Sequence, residues 1–191
     1  MVDTVIEGIR ERVCAAIQVN QSVGIQVPEN RHGDLLEAIF NSIQRNTQDI
    51  WTFVTVSKTF NHLTKTFKES IQNPSIKFID CISRAAGISD NSNNCIYLES
   101  PVMLENLMLE IMNNFKNKKC DFDKYVVIDS LSALMIYNDP EIIREFISLV
   151  LNRGRAENIH VVTILVEEEM DSHKLIQLND KIIVLRDSFI D

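Results

Sequence analysis

Three stretches of this chain are almost unbroken in their apolar character: "IWTFVTV" from Ile50, "YVVID" from Tyr125 and "IHVVTILV" from Ile159. A strand with one wet face alternates apolar and polar side chains, because successive residues point to opposite sides. Strands without that alternation must be covered on both faces, as in a parallel sheet sandwiched by helices. The intervening sequence supplies the helices. Thr4–Val19, Asp34–Arg45, "TFNHLTKTFKESIQ", "PVMLENLMLEIMNNFKN" and "DPEIIREFISLVLNRG" repeat apolar residues at three- and four-residue spacing. Shorter strands read at Ser22–Val27, "IKFIDCI", "NCIYLES" and "DKIIVLR". Strands and helices largely alternate, which predicts an α/β fold: a doubly wound, mainly parallel sheet flanked by helices. Pro101 fits the first turn of its helix. Asp139 fits an N-cap with Pro140 following it, and Gly154 is expected just past the end of the same helix.

In such a sheet, ligands bind in the crevice outside the carboxyl ends of the strands. Those ends are expected at Val27-Pro28, Val56-Ser57-Lys58, Asp80, Asp129-Ser130 and Val166-Glu167. The 191 residues fit one domain over 1–191, with an N-terminal helix at 1–20 and an α/β core at 21–191. A net charge of −8, from 27 acidic and 19 basic residues, argues against general binding of nucleic-acid backbones. No apolar run is long enough to span a bilayer and no signal peptide is visible, so a cytoplasmic protein with no membrane role is expected. Cys14, Cys81, Cys95 and Cys120 lack metal-ligand spacing and read as reduced thiols in or near the core. The Met-rich "MLENLMLEIM" stripe reads as core, with an interface role also open.

"VGIQVPENRHGDLLEAIF" reads as a strand, a tight turn over Pro28–Asp34 and the start of a helix. Asp34-Leu-Leu-Glu37 has capping-box spacing, with Asp in place of Ser or Thr. Asp34 would then accept from the free N–H groups of the first turn, the groups that a phosphate would otherwise use. Arg31 and His32 admit two readings, polar residues facing water or a site for another anion.

"KYVVIDSLSALMIY" from Lys124 resembles the Walker B region of the RecA superfamily, and specifically its KaiC-like branch. "IWTFVTVSKTFNHL", "KFIDCISRAAG", "NIHVVTILVEEE" and "LNDKIIVLRD" follow in the order of that branch, with Asp180 in its acidic position before the closing strand. The resemblance runs from Ser22 onward and implies a RecA-like P-loop NTPase fold. It also implies a phosphate loop between Val27 and Leu35, in which glycines cradle phosphates, a lysine reaches the outer phosphates and a hydroxyl holds magnesium. Here Pro28 fits, but Val27, Asn30 and His32 stand at the glycine positions, Gly33 at the lysine and Asp34 at the hydroxyl. The family's second strand ends in glutamates, where this chain has Ser57 and Lys58. Glu167, Glu168 and Glu169 lie at another strand end and could substitute. Asp129 would hold magnesium through water in the family's arrangement, or cap the following turn as a structural residue. Asp80 has no evident catalytic partner. Arg153 and Arg155 read either as a neighbour-contacting arginine pair or as a basic helix end favoured by the dipole.

These departures predict a non-catalytic KaiC-like domain with a degenerate Walker A motif and no bound cofactor. It would act by protein contact, as a homo-oligomer or a regulatory partner. The family's associations point to signalling in an archaeal cytoplasm. Two alternatives stay open: an ATP and magnesium switch using Arg31 or Lys58 with Asp129, and a recombinase-like DNA-repair accessory.

Overall fold

Every strand expected from its apolar run forms, in the order α1 (Val2–Val19), β1 (Ser22–Pro28), α2 (Glu29–Arg45), β2 (Ile50–Thr55), α3 (Phe60–Thr66), β3 (Ile76–Asp80), β4 (Cys95–Tyr97), α4 (Leu104–Phe115), β5 (Lys124–Asp129), α5 (Leu131–Tyr137), α6 (Pro140–Glu157), β6 (Ile159–Glu167), α7 (His173–Ile176) and β7 (Lys181–Val184). The computed structural model describes residues 2–68, 71, 75–88, 91–116, 122–167 and 173–186. Cys120, Glu168 and Glu169 lie outside the described residues.

Among those residues the seven strands join one parallel sheet in the order β4-β3-β2-β5-β6-β1-β7. Both faces are covered, as the unbroken apolar runs require. One core holds Ile9, Val13, Leu36, Phe40 and Leu63 from α1, α2 and α3 against Phe53, Phe78 and Val127 of the sheet. The other holds Ile111, Leu134, Ile147 and Leu175 from α4 to α7 against Val54, Ile128 and Leu165. Neighbours along each strand thus serve opposite cores: Phe53 one and Val54 the other.

Several boundaries differ from expectation. Pro101 precedes α4 in a turn, and Met103 is the N-cap. The Met-rich stripe packs on the core, with Leu107 and Ile111 buried and Met108 and Met112 half-covered. Asp139 caps α6 as expected, accepting from Glu141 N at 2.9 Å. Gly154 lies inside α6, which runs on to a left-handed Asn158. Its role is close packing, since a Cβ there would meet Val161 Cγ2 at 2.8 Å and the Ile159 carbonyl oxygen at 2.9 Å. The helices α5 and α7 have no counterpart in the sequence reading. Cys81 and Cys95 are buried and Cys14 is half-buried, and burial pushes the Cys81 thiol far up.

Candidate functional site

The carboxyl end of β1 departs most from expectation. There is no turn over Pro28–Asp34: α2 starts at Glu29, directly after Pro28, and runs unbroken to Arg45. Pro28 is the N-cap, in extended conformation and with no side-chain cap bond. The capping box at Asp34 is therefore not formed. Asp34 sits inside the helix and pairs one turn back with Arg31, Nη1 to Oδ2 at 2.9 Å. A pair at this spacing on a helix contributes only about 0.2–0.5 kcal/mol. Gly33 and Asn30 are exposed on the same helix. From Gly33 onward each N–H is committed to a carbonyl one turn earlier, leaving only first-turn donors free.

His32 explains why the helix begins so early. It lies at the head of the buried stripe Leu35, Leu36, Ile39, Phe40 and Ile43, at three- and four-residue spacing. The stripe carries His32 inward, 7% exposed, to the end of β5. There His32 Nε2 donates to Asp129 Oδ1 at 2.6 Å, and Asp129 Oδ2 accepts from Ser57 Oγ at 2.8 Å. Asp129 has no exposed surface, so both bonds replace water that its carboxylate has lost. The backbone locks the same corner, because Val56 N donates to the Asp129 carbonyl at 2.7 Å.

Asp129 thus does not cap the turn after β5. Ser130 does, accepting from Ala133 N at 3.2 Å and starting α5. The Asp129–Ser130 peptide bond is cis. Ser132 clamps α5 to β6, donating to the Val166 carbonyl at 2.7 Å and accepting from its N–H at 2.9 Å. Lys58 does not join the cluster and makes no ion pair among the described residues; its carbonyl accepts from Thr55 Oγ1.

Asp80 is fully occupied by local structure. It accepts from Phe60 N, Ile82 N, Ser83 N and Ser83 Oγ at 2.6–2.9 Å. Asp180 ties β7 to β1 and α6 through Ser22 N, Ser22 Oγ and Arg155. Burial raises its carboxyl, but the bonds from Arg155 and Ser22 prevail and hold it below the usual range. Arg155 is thereby paired within the chain, and Arg153 lies 3.8 Å from Glu157.

The resemblance implies ATP and magnesium at this crevice, and the donor set does not fit them. A metal at Asp129 Oδ1 would have to displace His32, no hydroxyl stands at residue 34, and residues 29–34 are helical. What the arrangement does chemically is bury a carboxylate with both of its oxygens hydrogen-bonded. Sequence reasoning named His32, Ser57 and Asp129 separately and missed their meeting. The usable signal was the spacing from His32 to Leu36, Ile39 and Ile43, which extends the helix back past Asp34.

No family model and no curated protein matches the sequence. Solved structures do match in fold. A KaiC-like protein from the hyperthermophilic archaeon Pyrococcus horikoshii aligns with a TM-score of 0.56 at 15% identity, over 90% of this chain and 75% of its own. An uncharacterized protein from the same organism, solved in complex with an unknown peptide, aligns with a TM-score of 0.55 at 13% identity, over 90% and 80%. In its parallel seven-stranded sheet with helices on both faces, the chain shares the fold of these proteins, the KaiC-like protein among them.

Proposed function

We propose that this domain is non-catalytic, does not bind ATP through a phosphate loop, and acts by protein contact in regulation or signalling in the cytoplasm, with no role on nucleic acid. The observation that carries this reading is the His32–Asp129 bond of 2.6 Å, reached from a helix that begins at Glu29. Nucleotide binding there would require displacing a buried partner and unwinding the first turns of α2. The net charge of −8 supports the absence of a nucleic-acid role. Among the described residues no helix is long and apolar enough to cross a membrane. Contact with another protein is supported by large apolar side chains left in water: Ile136 is 74% exposed, and Val102, Ile142 and Leu149 just over half. Archaeal neighbours in fold make an archaeal setting the natural one.

The test is thermal unfolding with Mg-ATP, with Mg-ADP and with each nucleotide in EDTA. A ligand at a hundred times its dissociation constant adds about 2.7 kcal/mol, which raises the midpoint of a domain of this size by roughly 5–10 °C. An unchanged midpoint in every condition is expected. A magnesium-dependent rise that Asp129→Ala removes would replace this reading with the nucleotide switch. Salt-sensitive binding to single-stranded DNA would favour the repair accessory instead.

A further inference from the structure

The large apolar side chains left in water are not spread evenly over the molecule. The helices on one face of the sheet, α1, α2 and α3, expose Val19 alone among the described residues. The layer of α4, α5 and α6 exposes Val102, Leu109, Ile136, Tyr137, Ile142 and Leu149. Val102, Ile136, Tyr137 and Ile142 gather around Asn138. This residue, just past the end of α5, donates from its side-chain amide to the Leu134 carbonyl at 2.9 Å and to the Pro101 carbonyl at 3.3 Å. The second bond holds the backbone beside Val102 against the turn that joins Ile136 and Tyr137 of α5 to Ile142 of α6.

Charge around this patch has one sign. Residues 101–115 and 130–150 carry Glu105, Glu110, Asp139, Glu141 and Glu145 against Arg144 alone. Arg144 is already engaged, its Nη1 lying 3.4 Å from Glu141 Oε2. Glu105 follows Val102 by less than a turn, Asp139 lies just after Tyr137, and Glu141 and Glu145 stand on either side of Ile142. An apolar centre with a charged rim is the anatomy of an interface, and the sign of the rim selects the partner. An anionic lipid surface or a nucleic acid would be repelled. A second copy docked face to face would set these carboxylates against their own kind. One docked by its opposite layer would bring Val19 as its exposed large apolar side chain. The partner that fits carries apolar side chains together with lysine or arginine.

We infer that the patch of Val102, Ile136, Tyr137 and Ile142, flanked by Glu105, Asp139, Glu141 and Glu145, docks a basic amphipathic segment of another protein. Its apolar side chains cover the patch, and its lysines or arginines meet the flanking carboxylates. The inference rests on the protein-contact reading above and gives the partner its chemistry.

Fluorescein-labelled peptides of about five helical turns serve as probes. One sets leucine on one face and lysine on the other. A second has glutamate in place of lysine, and a third has serine in place of leucine. The leucine–lysine peptide is expected to bind the full chain, by fluorescence anisotropy at low salt, with a dissociation constant of about 10–100 µM, as suits a small patch. In about 0.5 M NaCl its affinity should fall about tenfold. The other two peptides should bind about tenfold more weakly than the first. Ile136→Ser and Glu145→Lys should each weaken the leucine–lysine peptide about fivefold with an unchanged circular dichroism spectrum, because both side chains are exposed. Val19→Ser, on the opposite layer, should leave binding unchanged. Equal binding of the serine peptide, an Ile136→Ser chain that binds as before, or no binding of any peptide would overturn the inference. Sedimentation covers the rival occupant: a chain that self-associates until Ile136→Ser disperses it would replace the basic partner with a second copy and leave protein contact standing. The nucleotide-dependent midpoints that test the reading above play no part in peptide binding, so the two fail separately.

Discussion

A methyl group added at Gly33 meets nothing within 4 Å, whereas one added at Gly154 meets a backbone oxygen at 2.9 Å. Both glycines lie inside helices, where Ala is preferred by about 0.8–1 kcal/mol. Their alanine variants should therefore move in opposite directions. Gly33→Ala should stabilise by about 0.5–1 kcal/mol. Gly154→Ala should destabilise by about 1–3 kcal/mol, because the carbonyl of Ile159 cannot step aside. Urea midpoints measure both, and a loss of stability in Gly33→Ala would contradict the helical backbone at a position resembling a phosphate-loop lysine. At Asp129, His32→Ala leaves a fully buried carboxylate with Ser57 as its side-chain partner. The cost should be about 2–4 kcal/mol in urea unfolding, well above the median for a surface pair. The identities of these residues were legible in the sequence, but their roles were not. Asp34 has ideal cap chemistry, and only the inward pull on His32 shows that the helix starts a turn and a half earlier.

At the scale of elements, α6 separates its faces cleanly. Ile143 and Ile147 have no exposed surface, while Ile142 and Leu149 are about half exposed. Ile142→Asp and Leu149→Asp should leave the thermal midpoint within about 1–2 °C, since surface changes stay near 0.5 kcal/mol. Ile147→Asp should prevent folding, as judged by circular dichroism, because it buries an unpaired charge. The Asp180 link between β7, β1 and α6 sets a pH dependence. Its carboxyl is held low in the folded state and returns to its ordinary value on unfolding. The stabilisation is complete above that ordinary value, about pH 4, and is lost as pH falls through the lower folded value. Asp180→Asn should flatten this acid limb of a stability-against-pH curve while lowering stability at neutral pH. The strands were legible because burial on both faces leaves an apolar run that helices rarely imitate. The helix α5 was not, because "SLSALMIY" follows the strand with no loop to separate the two signals. Its start is marked only by the Ser130 cap.

For the whole molecule, the layered architecture followed from the sequence, since unbroken strands and amphipathic helices permit few other arrangements. Two meetings of side chains were less legible. One depends on His32 reaching from β1's helix to the end of β5, across the end of β6. The other depends on Trp51 and Tyr125 meeting in register from distant parts of the chain. Neither meeting leaves a mark at local spacing. The strand order has one further consequence, for the growing polypeptide. β1 is flanked by β6 and β7, and Ser22 pairs with Val161. A ribosome must therefore add about 140 residues before β1 gains its first neighbour, roughly 7 to 28 s at 5–20 residues per second. Throughout that interval a strand that ends up buried in the sheet keeps both edges open. Its hydrogen-bonding groups are offered to whatever the cell presents, and holding them unmated until β6 emerges is a task for chaperones.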